Sequence, residues 1–243
     1  MKCFLLAAGK GTRLLPITLD VPKCLVKINN VPLLQYWLEL FEIYSIDEVY
    51  INLHHLQNKV VDFVNGFNSG IKINLIYEES LLGSLGTLVS NKESFLKEEF
   101  ILICYADNLT NLNIKDFIDF HKSHNFPISM GLFQTKFPRE CGILELNESG
   151  TVISFEEKPK HPKTNLANAG VYIINTNLFN EFGNSDTILD IAYHLLPKFI
   201  NNMKGYLIKE FIFDIGNIEK LIYADNYVKS NLDEFDFCRN KTE

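Results

Sequence analysis

The chain has 243 residues, of which 47% are hydrophobic and 22% charged, and its formal net charge is -7. Such a composition belongs to a globular protein long enough to bury a core, as one large domain or a core with a small appendage. The acidic balance excludes broad electrostatic binding to nucleic acid or to an anionic membrane, and no stretch is long and apolar enough to span a bilayer.

In chain order the elements alternate. Residues 2–6, KCFLL, read as a buried strand, and residues 32–44, PLLQYWLELFEIY, carry helical apolar spacing with Pro32 at the N-terminal end. A strand is predicted over 47–53, a helix over 56–67 closed by glycine, and a strand over 71–77. Further strands fall over 100–106 and 128–134, with a helix over 114–124 between them. This is the α/β pattern of a doubly wound, Rossmann-like, mainly parallel sheet. The second half changes character. Residues 142–159 read as a hairpin around an Asn-Glu-Ser-Gly turn, and 168–175 as a strand. A helix over 187–200, a strand pair over 204–216 and a closing helix over 217–232 follow. Insertions of this kind form a β-rich substrate lid on an α/β core. The expectation is one domain over 1–243, without a hexapeptide β-helix pattern after the core.

The five cysteines, Cys3, Cys24, Cys104, Cys141 and Cys238, are scattered, odd in number and without a Cys-x-x-Cys pair. Free buried thiols in a reducing compartment fit this usage. The first apolar patch is too short for a secretory leader, so a cytoplasmic location is expected.

Against the acidic whole, residues 1–28 carry Lys2, Lys10, Arg13, Lys23 and Lys27 but only Asp20, a local charge of +4. The stretch LLAAGKGTRLLPITLDVPKCL holds three of these cations, Lys10, Arg13 and Lys23, on and just after a glycine loop that follows the first strand. It is not a Rossmann fingerprint, because Leu14 stands where the third glycine belongs. It is not a Walker loop either, because Gly11 follows Lys10 and Phe4 occupies the upstream glycine position. A glycine loop at a strand's carboxyl end is nevertheless where an open α/β sheet binds ligands, and it lets backbone N–H groups approach phosphate oxygens. Arg13 can donate bidentately and Lys23 acts as a point charge aimed by Pro22. Gly9 and Gly11 alone fit an ordinary turn equally well.

The joint pattern LAAGKGTRLLPIT…VPKCLVKINNVPLLQYWL resembles the N-terminal motif of the sugar-1-phosphate nucleotidylyltransferases. The likeness continues through LLGSLGTL, YADNL, CGI, FEEKP, NAGVYI and FDIG in order. It implies that Ala8, Gly9, Gly11, Thr12, Arg13 and Lys23 bind the nucleotide. By the same resemblance Gly83, Ser84 and Gly86 grip the base through backbone groups. Asp107 and Asp214 are implied as Mg²⁺ ligands, and Mg²⁺ is commonly held by one or two carboxylates plus substrate phosphates. Lys158 is implied at the sugar phosphate, Glu157 and Asn168 at sugar hydroxyls, and Gly142 where the sugar nears the backbone. Arg13, Lys23 and Lys158 are the implied catalytic cations.

Each residue also has a plainer local reading. Asp-Asn is a common turn former, Asp214 can begin the last helix, and Ser84 can cap a helix. Glu157 and Lys158 can be solvated strand-end charges, with Lys158 held extended before Pro159. His54 and His55 read as helix-start or surface residues, because zinc ligands at suitable spacing are missing.

The resemblance implies transfer of a nucleotidyl group from an NTP to a sugar 1-phosphate, with release of pyrophosphate. Overall likeness favours GTP and a mannose or manno-heptose phosphate; cytidylyl, uridylyl and thymidylyl transfer stay open. Departures from the commoner pattern bear on this, since Tyr105-Ala106 precedes Asp107 and Ser84-Leu85 replaces Thr-Ala. A non-catalytic nucleotide-sugar-binding protein would be expected to lose the aspartates or the Arg13/Lys23 pair. A glycosyltransferase typically carries Asp-x-Asp, and YADN offers one aspartate. The expected partners are the NTP and sugar 1-phosphate alone, with a monomer or homodimer and neither nucleic acid nor membrane.

Overall fold

The computed structural model describes residues 1–183 and 188–238. From the amino end come β1 (Lys2–Leu6), β2 (Lys27–Ile28), β3 (Val31–Pro32), α1 (Leu33–Ile43), β4 (Glu48–Leu53), α2 (Gln57–Gly66) and β5 (Lys72–Tyr77). Then follow α3 (Ser84–Ser90), β6 (Phe100–Tyr105), β7 (Asn108–Thr110), α4 (Ile114–Lys122) and β8 (Ile128–Gln134). The remainder holds β9 (Gly142–Leu146), β10 (Val152–Glu157), β11 (Leu166–Asn175), β12 (Lys204–Leu207), β13 (Ile212–Asp214) and α5 (Ile218–Ser230). The chain divides into two compact units. The first takes Met1–Ser80, Tyr105–Leu112 and Glu210–Glu243; the second takes Leu81–Cys104 and Asn113–Lys209.

In the first unit β1, β4 and β5 run parallel, with Phe4 opposite Tyr50 and Val49 opposite Ile73. Cys3, Phe4 and Leu5 are fully buried, which is why β1 is a continuous apolar run and not an alternating one. Every residue of α1 from Leu33 to Phe41 is buried, Gln35 and Glu39 included. Trp37 Nε1–H donates to Asn108 O at 2.8 Å, so the largest side chain of the core satisfies its one polar group on β7. The ribbon of β7 and β13 is antiparallel, with Asp214 opposite Asn108. Leu14, Ile28, Tyr36, Leu109, Ile215, Val228 and Phe235 form a cluster that fixes the glycine loop, the ribbon and α5 in one core.

In the second unit the ten-residue strand β11 pairs antiparallel with both β6 and β8, and β12 runs parallel to β8. The hairpin read from sequence forms as β9 and β10, with Glu157 opposite Gly142. Under the sheet, His121 bonds Ser129 Oγ (2.8 Å) and Asn175 Oδ1 (3.0 Å), and His124 bonds the same Ser129 Oγ (2.9 Å).

The α/β architecture with a mainly parallel core sheet and a β-rich insertion is the one the sequence implies. Three local readings differ. Residues 204–216 are not a strand pair: β12 joins β8 in the second unit and β13 joins β7 in the first. The strand over 100–106 pairs antiparallel with β11 inside its unit. The helix expected over 187–200 is a π turn at Ile191–Leu195 followed by a tight turn at Leu196–Phe199, where Pro197 supplies no N–H; its first residue, Thr187, lies outside the described residues. Among the described residues no helix is long and apolar enough to cross a membrane.

Candidate active site

In the first unit the glycine loop leaves the carboxyl end of β1. Gly11 has φ +65°, and a Cβ there would meet Thr18 Cγ2 at 2.9 Å and Lys23 Cβ at 3.1 Å, so both backbone and space require glycine. The loop is pinned from below, where Thr18 Oγ–H donates to Gly11 O (2.8 Å) and Leu14 N–H donates to the same oxygen (2.9 Å). Ala8 is buried, while Gly9, Thr12 and Arg13 are exposed, with open space around Gly9.

Lys23 follows Pro22, which is extended at φ -60°, ψ 145°, and begins a tight turn. Its Nζ lies 2.5 Å from Asp107 Oδ2 and 3.8 Å from Asp214 Oδ1, though only 9% of the residue is exposed. Strand pairing brings the two aspartates together: Asp107 precedes β7, Asp214 ends β13, and Ile215 N–H donates to Asp107 O at 2.9 Å. The neighbouring Cys24 is fully buried; burial pushes its thiol up to about 12, with Asp107 adding to the rise, so it stays a neutral S–H.

Sequence reasoning missed two contributors here. Gly216 makes room, since a Cβ there would sit 2.6 Å from Asp214 Oδ2 and 3.4 Å from Arg13 Nη2, which also puts the guanidinium beside this turn. Lys220 Nζ lies 3.2 Å from Asp214 Oδ2. Asp214 does not begin the last helix; Asn217 does, accepting from Lys220 N–H at 2.9 Å. His54 and His55 stand just before α2, as expected, on Glu78 O and Thr18 O. A cavity of about 670 Å³ opens there, lined by His54, Lys59, Tyr77 and Glu78 among others. Buried Glu78 accepts from Asn52 Nδ2 (2.9 Å), and Asn52 Oδ1 accepts from Ala7 N–H (2.7 Å), which ties this edge to the start of the glycine loop.

The second unit gathers the other named residues. A Cβ at Gly142 would lie 2.6 Å from Glu157 Oε2 and 2.8 Å from the Phe155 ring, so glycine is needed for Glu157 to lie flat on β9. Burial raises the Glu157 carboxyl above its usual range; Lys158 opposes the rise and Asp190 adds to it. Lys158 is not extended. Its φ is +50°, held by Lys158 N–H donating to Cys141 O at 3.0 Å, and its Nζ stands 3.8 Å from Glu157 Oε1. Left-handed backbone at a non-glycine residue costs on the order of 1–3 kcal/mol and gathers at binding sites. Asn168 sits at the β11 irregularity, donating to Tyr172 Oη (2.6 Å) and accepting from Gly170 N–H (3.0 Å). The phenol of Tyr172 is pushed up by burial.

Gly83 has φ +79° and its Cβ would fall 2.3 Å from Leu189 O. The N–H groups of Leu85 and Gly86 both donate to that carbonyl, at 3.0 and 3.1 Å, so these backbone donors are engaged within the unit. Ser84 does not cap α3 but is its first residue; its hydroxyl donates to Asp190 Oδ2 and accepts from Ile191 N–H, both at 2.9 Å. Asp190, which the sequence left unread, thus anchors this loop.

Two carboxylates and three cations thus meet beside a glycine loop at the carboxyl end of a parallel strand, the edge at which open α/β sheets bind ligands. The profile of the nucleotidyl transferase family matches residues 2–231, and the chain belongs to that family. It is 30% identical over 223 residues to mannose-1-phosphate guanylyltransferase 1 of Arabidopsis thaliana, covering 89% of this chain and 61% of the relative. It is 35% identical over 174 residues to glucose-1-phosphate thymidylyltransferase of Streptomyces griseus, covering 71% of this chain and 49% of the relative. The chain therefore spans about half to three fifths of these relatives' length. A crystal structure of HddC from Yersinia pseudotuberculosis complexed with GMP-PN superposes with a TM-score of 0.78 at 25% identity, over 93% of this chain and 98% of that one.

Proposed function

We propose that the chain transfers a nucleotidyl group from an NTP, with GTP preferred, to a sugar 1-phosphate of the mannose or manno-heptose type, releasing pyrophosphate. The observation that carries this reading is Lys23 lodged between Asp107 and Asp214 beside the glycine loop. The residues fit a divalent ion: two half-buried carboxylates on one ribbon suit an ion that takes its other ligands from substrate phosphates. Among the described residues there is no cluster of three or more His, Cys, Asp or Glu that would close such a site without substrate. A divalent metal is typical of this family, and Mg²⁺ held by Asp107 and Asp214 would supply charge neutralisation at the α-phosphate.

The chemistry asks little general base catalysis, because a sugar phosphate oxygen is already anionic at neutral pH. It attacks the α-phosphorus as the bond to pyrophosphate breaks, so the protein's work is positioning and electrostatic stabilisation. The exposed N–H groups around Gly9, Gly11 and Thr12 receive triphosphate oxygens. Arg13 and Lys23 carry the charge that develops on the departing pyrophosphate. In the second unit Lys158 receives the sugar phosphate, and Glu157 and Asn168 take sugar hydroxyls. Gly83, Ser84 and Gly86 shape the base pocket, in a loop whose Leu85 and Gly86 N–H groups are held on Leu189 O. Residues 1–243 act as one nucleotidyltransferase unit, as monomer or homodimer. The five free cysteines support a cytoplasmic setting.

GTP is favoured by the Arabidopsis relative and by the guanine nucleotide in the HddC crystal; the Streptomyces relative favours dTTP with glucose 1-phosphate as the second reading. Incubation with each of four NTPs against several sugar 1-phosphates, read by pyrophosphate release, tests both. GTP should exceed the other nucleotides by about two orders of magnitude in kcat/KM, which corresponds to roughly 2.7 kcal/mol. A dTTP preference selects the second reading, and release of nucleoside diphosphate rejects nucleotidyl transfer.

A further inference from the structure

The third cation at the aspartate pair, Lys220, has no part in the reading above. It stands on the first turn of α5, where Asn217 accepts its N–H and so fixes the direction in which the side chain leaves the helix. The side chain is 16% exposed and ends 3.2 Å from Asp214 Oδ2. The other oxygen of that carboxylate faces Lys23, whose ammonium also holds Asp107. Two ammonium groups thus share two carboxylates, with the Arg13 guanidinium beside the same turn. The protein alone already has enough positive charge to balance the aspartates. A divalent ion arriving by itself meets paired carboxylates and two or three cations within a few ångströms, an arrangement that weakens its binding. A triphosphate reverses the balance by giving Lys23 and Arg13 anionic partners of their own. Lys220 stands on α5 and not on the glycine loop, with its ammonium on Asp214.

We propose that Lys220 is a positioning residue that holds Asp214 by one oxygen and keeps the aspartate pair charge-balanced, so that the divalent ion enters with the nucleotide and not before it. This rests on the reading that Asp107 and Asp214 hold the metal. The ammonium holds the carboxylate by Oδ2, leaving Oδ1 as the oxygen turned toward Lys23.

The test is Mn²⁺ binding to nucleotide-free protein, followed by calorimetry and by loss of the free Mn²⁺ paramagnetic resonance signal. Lys220→Met should tighten Mn²⁺ binding on the order of tenfold, as expected from removing one close positive charge. Lys220→Gln should do the same and carries the test if the methionine variant folds poorly. Lys220→Arg should restore the weak binding of the natural chain. With Mn²⁺ and GTP together, Lys220→Met should raise KM for the metal–nucleotide complex less than it lowers kcat, because Asp214 is bound but loosely oriented. Unchanged Mn²⁺ affinity in both Lys220→Met and Lys220→Gln overturns the proposal. In a parallel control, Asp214→Asn should abolish the Mn²⁺ dependence of GTP binding; if that dependence survives, the metal reading itself fails, and this inference with it.

Discussion

Asp214 in the first unit and Glu157 in the second are built alike at short range. Each lies against a glycine, Gly216 or Gly142, where a Cβ would come within 2.6 Å of a carboxylate oxygen. Beyond that shell they diverge. Asp214 is ringed by Lys23, Lys220 and the guanidinium of Arg13, with the charges in excess of what the carboxylate needs. Glu157 has one exposed lysine and is pushed toward its neutral form by burial, beside Asp190 and the buried phenol of Tyr172. The first arrangement suits a highly charged ligand, which is bound by rearranging ion pairs. The second suits hydroxyl groups, which are recognised by donors and acceptors held in fixed places.

The largest effect that would sharpen this contrast comes from the aspartates. Asp107→Asn or Asp214→Asn should cut turnover on the order of a hundredfold or more, since each removes a charge from the reacting phosphates' surroundings. Pyrophosphate release under saturating substrates measures it, and near-normal turnover would break the division drawn here. Next come the lysines. Lys23→Ala should weaken binding of the metal–NTP complex in calorimetry. Lys158→Ala should leave that binding intact while raising KM for the sugar 1-phosphate by roughly tenfold or more. The reverse pattern would exchange the roles of the two units.

The paired glycines give a smaller effect. Gly216→Ala and Gly142→Ala each force a carboxylate aside, at about 1–3 kcal/mol of overpacking strain. The first should show in kcat and the second in KM for the sugar phosphate, with chemical denaturation reporting both costs. Identical kinetic signatures would mean the two carboxylates do one job. The smallest effect lies away from the site. Burial lowers His121 and lowers His124 to about 4, with His121 and Lys204 adding to the latter and Asn175 and Glu99 opposing the former. The unfolded chain takes up these protons near pH 6.5 while the folded chain does not. Stability is therefore complete above about pH 6.5 and declines as pH falls toward about 4. Unfolding midpoints from pH 7 to pH 4.5 should fall, and His124→Asn should flatten the slope.

Much of this was legible in the residues. Apolar runs ending in Asp107 and Asp214 placed two carboxylates at strand ends, and the fold put both on one ribbon. The hairpin turn at 147–150 follows from local chemistry, whereas the cap of the last helix fell to Asn217 and not to Asp214. What local chemistry does not contain stayed hidden. Lys220 is one helical cation among several until α5 is docked. Asp190 becomes an anchor only when the chain past residue 187 returns to α3. Lys158 adopts φ +50° against the bias of the following proline because a backbone bond to Cys141, far back on the other hairpin strand, outweighs it. Residues 204–216 looked like one strand pair because both halves are apolar; their partners, β8 and β7, are settled by tertiary contacts.

The distribution of thiols has a practical consequence. Cys3, Cys24, Cys104 and Cys238 are buried and Cys141 is partly exposed, with its carbonyl bonded to the backbone of Lys158. A maleimide fluorophore offered to the folded protein would attach chiefly at that one position, without any engineered cysteine. The dye would then sit one residue from Gly142 and across the hairpin from Glu157. If the sugar phosphate binds there as proposed, its emission would become an optical gauge of that occupancy, readable while the nucleotide half of the chemistry stays dark.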